Sequence, residues 1–405
     1  MGNQHKTFLC ISNYFKGSAF LIELKKAGNT VFLITTEKLR DSNWPHEYLD
    51  DIYYMPGQDL DWDMEKLLTG VAGIMKETKI DAIVALDDYD VEKATFLREN
   101  LRIPGMGQTT GRYFRDKLAM RIRAHDAGLL VPPFSALFHD NDINHFADTV
   151  PAPWVLKPRS EASAHGIIKV YDKDSLWQNI HDLGDNRLRY LVEQFKPGDV
   201  YHADSLILKG KTLFCTVSKY LATPMEISQG GGIFRSANIP YGSEDDKAIK
   251  EANKKVMKAF GMKNGAAHTE FIKGKEDGKI YFLETSSRVG GAHLAEMVEG
   301  ATNINLWAEW AKIEDAVAKD KDYKMPKVTK GYAGIVLTLS KYQHPDLSSF
   351  DDSEVCFRVP LEYHAGLIVK SNNHKKVLDL LDDYAARLSD GYSTIAEQEK
   401  VKKFH

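Results

Sequence analysis

The sequence predicts a mixed α/β protein that begins with a parallel sheet and continues with antiparallel hairpins. Residues 7–11 and 30–35 read as short apolar strands, and residues 19–24 between them have the apolar spacing of a helix. A strand, a helix and a second strand in this order indicate a parallel sheet. Residues 201–219 and 267–284 each contain two apolar runs around a turn, which is typical of an antiparallel hairpin. We therefore expect two kinds of sheet in one chain.

A further strand of the first region ends in acidic residues. Residues 82–86 form a buried type of strand, and Asp87, Asp88 and Asp90 follow its carboxyl end. Ligands of open α/β sheets bind at this edge, but aspartates at the start of a helix also act as caps. Both interpretations stay open. The G-x-G-x-x-G fingerprint does not follow the first strand, which argues against a dinucleotide site.

Helical periodicity and a second strand unit occupy the middle of the chain. Residues 113–127 predict one helix that Gly128 stops, and residues 292–318 predict another. Residues 154–158 and 167–170 read as two strands joined by a loop of small residues. A phosphate-binding P-loop needs a strand, a loop and then a helix, so this loop is not of that class.

Composition narrows the classes of function. The chain has 405 residues, of which 43% are hydrophobic and 27% charged, as in a globular protein of two or three domains. Its net charge of −4 argues against nucleic acid as a partner. Three widely spaced cysteines indicate a reducing compartment and no thiolate zinc site. Without a membrane-length apolar run or a signal-peptide core, we expect a cytoplasmic protein with no membrane partner.

The hairpin at residues 267–284 carries the strongest chemical signal. Glu270 and Glu284 lie on its two strands among hydrophobic residues, so both carboxylates are expected to emerge from an apolar sheet. Two such carboxylates repel each other unless a cation lies between them, and Mg²⁺ fits because it takes oxygen ligands. Arg288 follows closely and would face the same site as a cation for an oxyanion. The alternative is a hairpin whose acids are merely exposed.

The order of these features resembles the ATP-grasp superfamily over roughly residues 7–300. Within it, the chain is most similar to carboxylate–amine ligases, including L-amino-acid ligases and the ATP-binding domains of carbamoyl-phosphate synthase. The resemblance implies an ATP-grasp fold with a Rossmann-like parallel-sheet domain at 1–112, a two-subdomain core at 113–325 and a small C-terminal α+β region at 326–405. The ATP-lid subdomain of the core is expected at about 125–195.

The resemblance also implies nucleotide-binding residues in three segments of the core. Two lysines are expected to contact the phosphates, a loop of small residues to cover them, and a hinge to recognise adenine. These residues are Lys117, Lys157, Ser163, Ala164, His165, Gly166, Glu193, Gln194 and Phe195. The alternatives are solvated lysines and an ordinary hairpin loop.

The chain departs from the family pattern at two positions. Val200 stands where many members have the glutamate that holds the ribose hydroxyls, which leaves Asp199 and then Asp204 as substitutes. Ser286 stands where members usually have asparagine after the second acid. A serine hydroxyl can still bind Mg²⁺ or hold a water molecule.

The chemistry implied by the resemblance is centred on the hairpin. Glu270, Glu284 and Ser286 would bind two Mg²⁺ ions, and Mn²⁺ would fit the same oxygens. Arg288 would steady the transferred phosphoryl group. His268 would lie beside the acceptor and is, with Asp87 or Asp88, a candidate base; its alternative is a hydrogen-bonded strand histidine.

Arg235 is the remaining candidate catalytic residue. It would clamp the substrate carboxylate or the γ-phosphate of ATP, with Arg159 as the second candidate for this role. Either arginine could instead be exposed without a role.

The implied activity is ATP-dependent ligation, as in a dipeptide-forming L-amino-acid ligase. A substrate carboxylate, that of an amino acid, attacks the γ-phosphate of ATP, and an amine then displaces phosphate from the acyl phosphate. The expected partners are these two small molecules, and a homodimer is common among similar proteins. The alternatives are a bicarbonate-activating enzyme of the carboxylase or carbamoyl-phosphate type and a non-catalytic ATP-binding module.

Overall fold

The computed structural model describes residues 5–56, 62–161, 166–223, 227 and 232–394. The strands are β1 (Thr7–Ser12), β2 (Thr30–Thr36), β3 (Asp51–Met55), β4 (Ala82–Ala85), β5 (Phe134–Ala136), β6 (Trp154–Pro158), β7 (Ile168–Val170), β8 (Tyr190–Gln194), β9 (Gly198–Leu208), β10 (Lys211–Tyr220), β11 (Phe234–Asn238), β12 (Gly265–Gly274), β13 (Ile280–Ser286), β14 (Tyr332–Leu339), β15 (Val355–Arg358) and β16 (His364–Ser371). The α-helices are Ser18–Lys26, Met64–Ile74, Val91–Leu101, Gln108–Arg112, Lys117–Asp126, Asp140–Thr149, Lys173–Leu183, Glu244–Phe260, Leu294–Thr302, Leu306–Ala318 and His374–Gly391.

The first sheet is parallel and has the strand order β3-β2-β1-β4. Both faces of its central strand are buried: Phe8 and Cys10 belong to one hydrophobic cluster, and Leu9 and Ile11 belong to another. Uninterrupted apolar runs are typical of such two-sided strands. The predicted parallel sheet is confirmed, although the sequence reading missed β3, whose residues are mostly half-buried.

The second sheet is antiparallel, with the order β13-β12-β9-β10-β11-β14-β16-β15. Strand β11 pairs with β14, so the C-terminal strands extend the sheet that carries the acidic hairpin. The mixed α/β fold class is therefore confirmed. The domain boundaries at residues 112 and 325 remain predictions.

The third sheet is small and antiparallel, with the order β5-β8-β6-β7. Strands β6 and β7 pair directly, as the predicted strand–loop–strand unit requires. Its core contains Trp154, Leu156, Val170 and Val192. The end of β6 carries Lys157 and the end of β8 carries Glu193, so this sheet contributes charged groups to the site.

The prediction of a single helix at 113–127 is wrong at the start of that range. The structure has the helix Gln108–Arg112, a break, and then the helix Lys117–Asp126. Asp116 makes the break because its side chain accepts a hydrogen bond of 2.9 Å from the N–H of Leu118 and caps the second helix.

The predicted helix at 292–318 is also two helices, Leu294–Thr302 and Leu306–Ala318. Asn303 ends the first with a left-handed backbone at φ 60°. Asn305 begins the second because its side chain accepts a hydrogen bond from a backbone N–H of the first turn.

Among the helices in the described ranges, none is both long and apolar enough to cross a bilayer.

Candidate active site

All three sheets border one cleft of about 1550 Å³. The parallel sheet contributes the segment after β4, the small sheet contributes the ends of β6 and β8, and the large sheet contributes β12 and β13. The cleft therefore collects side chains that lie far apart in the sequence.

The acidic hairpin has the predicted pairing. Glu270 on β12 lies opposite Glu284 on β13, and a bulge follows between Glu270 and Phe271. Both carboxylates border the cleft, with the Glu270 side chain 12% exposed and the Glu284 side chain 32% exposed.

Each carboxylate already has a partner in the protein. The Lys117 ammonium lies 2.9 Å from Glu284 Oε2, and Tyr220 donates a hydrogen bond of 2.7 Å to Glu270. Burial raises the pKa of Glu270, but its hydrogen bond and charge interaction with His268 outweigh burial and lower the pKa overall. Protein groups thus offset much of the repulsion between the two carboxylates, which the sequence analysis expected a metal ion to relieve.

His268 belongs to a buried chain of polar groups with Asp204 and His202. Asp204 shares a hydrogen bond of 2.8 Å with Nδ1 of His268 and one of 2.7 Å with Nδ1 of His202. Burial lowers the pKa of His268, but the Asp204 carboxylate outweighs it and raises the pKa to about 10. His268 is therefore an imidazolium at neutral pH, which argues against the expected role as a base and favours electrostatic support of Glu270.

Asp204 does not fit the expected role of ribose ligand. It is 1% exposed, and each of its oxygens is engaged by one histidine. A ligand hydroxyl would have to displace an imidazole. Gly290 closes the other side, because a Cβ there would lie 2.9 Å from Nδ1 of His268. Asp199 borders the cleft, where it pairs with Lys219 at 2.7 Å, and remains the candidate.

Lys157 and Glu193 form a second buried chain with Arg121. Lys157 Nζ lies 2.5 Å from one oxygen of Glu193, and Arg121 Nε donates to the other at 2.8 Å. Burial lowers the pKa of Lys157 to about 8, although Glu193 partly offsets this. The sequence analysis missed Arg121, but its spacing of four residues from Lys117 places both on one helix face.

The expected adenine hinge is Glu193, Gln194 and Phe195, and its backbone hydrogen bonds show which groups are free for a ligand. The N–H of Gln194 donates to the Pro133 carbonyl at 2.8 Å, and the N–H of Phe195 donates to the Pro153 carbonyl at 3.0 Å. Proline has no N–H, so Pro133 cannot donate back to the Gln194 carbonyl. Among the described residues, none accepts a backbone hydrogen bond from the N–H of Lys196. The Gln194 carbonyl and the Lys196 N–H belong to cleft-lining residues and could serve one planar ring edge.

Arg288 and Asp88 join the hairpin to the parallel sheet. Arg288 Nε donates to Asp88 Oδ2 at 3.0 Å. Burial raises the pKa of Asp88, but the guanidinium outweighs it and lowers the pKa to about 2, so Asp88 is a poor base. Ser286 also lies close enough to contribute to this shift. The neighbouring Asp87 caps the following turn by accepting from the N–H of Tyr89, as the capping interpretation predicts, whereas ligand binding at Asp88 stays a prediction.

The start of the expected lid loop contacts the rest of the site. Lys117 Nζ donates to the Glu161 carbonyl at 2.5 Å, and Tyr89 Oη donates to the Glu161 carboxylate at 3.1 Å. Gly166 ends the loop with a left-handed backbone at φ 70°. The expected phosphate-covering residues Ser163, Ala164 and His165 lie outside the described residues.

Arg235 is not in the cleft. Its strand neighbour Phe234 borders the cleft, whereas Arg235 Nη1 pairs with Asp382 of the C-terminal helix at 2.5 Å. Successive residues of a strand point to opposite faces, and the pairing of β11 decides which one faces inward. This placement argues against the expected clamp. Arg159 pairs with Asp116 and does not border the cleft either.

Residues 150–296 match the sequence profile of the ATP-grasp domain. The chain is 29% identical over 243 residues to an L-arginine-specific L-amino acid ligase of Bacillus subtilis, covering 58% of this chain and 57% of that protein. It is 25% identical over 198 residues to a D-alanine–D-alanine ligase of Neisseria gonorrhoeae, covering 47% of this chain and 64% of that protein. The match thus spans less than two thirds of each relative.

A solved L-amino acid ligase from Bacillus licheniformis has a similar fold. It superimposes with a TM-score of 0.76 at 18% identity, covering 98% of this chain and all of the other. The segment that matches the ATP-grasp profile, residues 150–296, contains Lys157, Glu193, Glu270 and Glu284. Residues 150–296 are therefore an ATP-grasp domain, as the resemblance predicts.

Proposed function

We propose that this protein is an ATP-dependent ligase that joins the carboxylate of an amino acid to an amine through an acyl phosphate. The observation that carries the proposal is the cleft within the ATP-grasp fold, where Lys117, Lys157 and Arg288 lie with the opposed carboxylates of Glu270 and Glu284. The printed names of both curated relatives, an L-amino acid ligase and a D-alanine–D-alanine ligase, support the reaction class.

The hinge fits adenine. In the proposed complex the free Gln194 carbonyl accepts from the exocyclic amine, and the Lys196 N–H donates to a ring nitrogen. Both Glu193 oxygens are held by cations, so we assign this side chain to orienting Lys157 rather than to contacting the base.

The phosphate end fits an anion bound with a hard cation. Lys157 is buried at the cleft and Lys117 is 12% exposed, so a phosphate could recruit both ammonium groups with little loss of hydration. The oxygens of Glu270, Glu284 and Ser286 suit Mg²⁺ or Mn²⁺. Such an ion would supply Lewis-acid polarisation of phosphoryl oxygens. We expect Lys117 to leave Glu284 for the phosphates when that carboxylate takes up a cation.

The chain's own task is to position the reactants and neutralise charge. The substrate carboxylate attacks the γ-phosphorus, the bond to the ADP oxygen breaks, and the amine then attacks the acyl carbon and expels phosphate. Lys117, Lys157 and Arg288 stabilise the negative charge that builds up on the transferred oxygens. The proposed mechanism uses neither Asp88 nor His268 as the base that deprotonates the amine. Asp88, with a pKa of about 2, is too weak a base, and His268, with a pKa of about 10, already holds its proton at neutral pH.

Phosphate release from Mg-ATP tests the proposal. The wells contain single L-amino acids, pairs of them, and bicarbonate alone. Release that requires a pair supports the ligase and names its substrates. Release with bicarbonate alone contradicts it and favours a bicarbonate-activating enzyme, and ATP binding without release in any well favours the binding module.

A further inference from the structure

A second arginine of the cleft, Arg115, is not used by the mechanism above. It lies between the helices Gln108–Arg112 and Lys117–Asp126, borders the cleft and is only 7% exposed. Its Nε is buried without a hydrogen-bond partner, and within the described ranges no carboxylate forms an ion pair with its guanidinium.

Arg115 differs in this respect from three other cationic residues that border the cleft. Lys117, Lys157 and Arg288 each have a carboxylate at 2.9, 2.5 and 3.0 Å. A buried cation without an anion is unfavourable, so a site of this kind is completed by an anionic ligand.

The Arg115 guanidinium lies over the ring of Tyr89. The guanidinium carbon lies 4.3 Å from the centroid of the Tyr89 ring, and the Tyr89 hydroxyl is fixed by its hydrogen bond to Glu161. A guanidinium that contacts a ring through its face keeps its N–H groups available for in-plane hydrogen bonds. These N–H groups match the two oxygens of a carboxylate.

Asp88 supplies a negative charge to the same cleft. It is 6% exposed, its Oδ2 accepts from Arg288, and its buried Oδ1 has no hydrogen bond of good geometry although Ser286 lies near. Arg115 is close enough to contribute to the lowered pKa of Asp88. Arg115, with an unpaired Nε donor, and Asp88, with an unpaired Oδ1 acceptor, therefore both line the cleft, and a free amino acid carries the charges that match both.

We propose that Arg115 binds the carboxylate of the amine-donating amino acid, whose ammonium faces Asp88. The proposal rests on the ligase function and adds its amine substrate class: a free amino acid rather than a simple amine or an amide. The carboxylate that is activated by ATP must lie beside the phosphates. The Arg115 guanidinium is therefore left for the carboxylate of the amine donor, which does not react.

The test compares amino acids with their amides. L-alanine, L-arginine and L-phenylalanine and their amides are titrated calorimetrically into the full chain with Mg²⁺ and a non-hydrolysable ATP analogue, and phosphate release from Mg-ATP is measured in parallel. At least one amino acid should bind wild type about 10- to 100-fold more tightly than its amide, as expected for a buried charged contact. In Arg115→Ala this ratio should fall to about one with little change in affinity for the ATP analogue.

Arg112→Ala is the matched control, because Arg112 is exposed and precedes the same break between helices; it should keep the wild-type ratio. Arg115→Gln replaces the alanine variant if melting curves show that the latter is unfolded. An unchanged ratio in the Arg115 variants, a loss confined to the ATP analogue, or no preference for amino acids in wild type overturns the proposal. Absence of phosphate release contradicts the ligase function separately, because the binding ratio does not depend on turnover.

Discussion

Two buried chains of charged residues lie beside the cleft, and they carry opposite excess charge. The first, which we call the Lys157 chain, consists of Lys157, Glu193 and Arg121 at the small sheet. Two cations share one carboxylate, so positive charge is in excess.

The second, the His268 chain, consists of His202, Asp204, His268 and Glu270 on the large sheet. Its two carboxylates lie on either side of the His268 imidazole, whose pKa is raised to about 10. Glu284 adds a further carboxylate on the neighbouring strand.

The difference shows that the polarity of the cleft is built into the folded chain. Phosphate oxygens are favoured at the Lys157 chain, and a hard cation is favoured beside the His268 chain. Charges that are already fixed need little reorganisation when the reaction begins, which is a main source of enzymatic rate enhancement.

The largest expected effect on ATP turnover comes from a substitution of Glu284. Glu284→Gln keeps the side-chain size but removes a charge from the acid-rich end, so we expect ATP turnover to fall by at least about 10³-fold with an unchanged melting curve. Glu276→Gln is the control, because Glu276 is exposed in the turn of the same hairpin. Normal turnover in Glu284→Gln would remove this residue from the metal site.

A substitution in the Lys157 chain should lower the stability of the folded protein. Arg121→Met leaves the buried Glu193 with one cation instead of two, and we expect it to lower the free energy of unfolding by about 3–5 kcal/mol. Urea denaturation of wild type and variant measures the loss. Arg112→Ala should change the same quantity by less than about 0.5 kcal/mol. A similar small change for Arg121→Met would mean that Lys157 alone balances Glu193.

The smallest expected effect is a pH dependence. Lys157 has a pKa of about 8, so its positive charge is present below that pH and lost above it. Affinity for an ATP analogue should therefore fall by up to about fivefold between pH 8 and pH 9. In Lys157→Arg, the side chain stays charged and the fall should vanish. An equal fall in both proteins would assign it to another group.

Features with a local sequence pattern were predictable from the sequence. The acidic hairpin has two apolar runs and a turn, and both its pairing and the parallel sheet are as expected. Lys117 and Lys157 were implied by the resemblance to the ATP-grasp superfamily, and both border the cleft.

Features that depend on tertiary contacts were not predictable. Arg235 was assigned to the site, but which face of β11 turns inward is decided by its strand partners. Asp204 was the second candidate for the ribose after Asp199, yet two histidines from different strands engage it. Arg115 was overlooked because an arginine in a helical pattern resembles a solvated cation until its burial is known.

Trapping with hydroxylamine tests the central claim most directly. The full chain is incubated with Mg-ATP, single L-amino acids and hydroxylamine, and ADP and hydroxamate are quantified. Our account predicts hydroxamate and ADP in equal amounts for at least one amino acid, because hydroxylamine captures the acyl phosphate in place of the amine. ADP without hydroxamate for every amino acid, or no ADP at all from a protein that binds ATP, would contradict it.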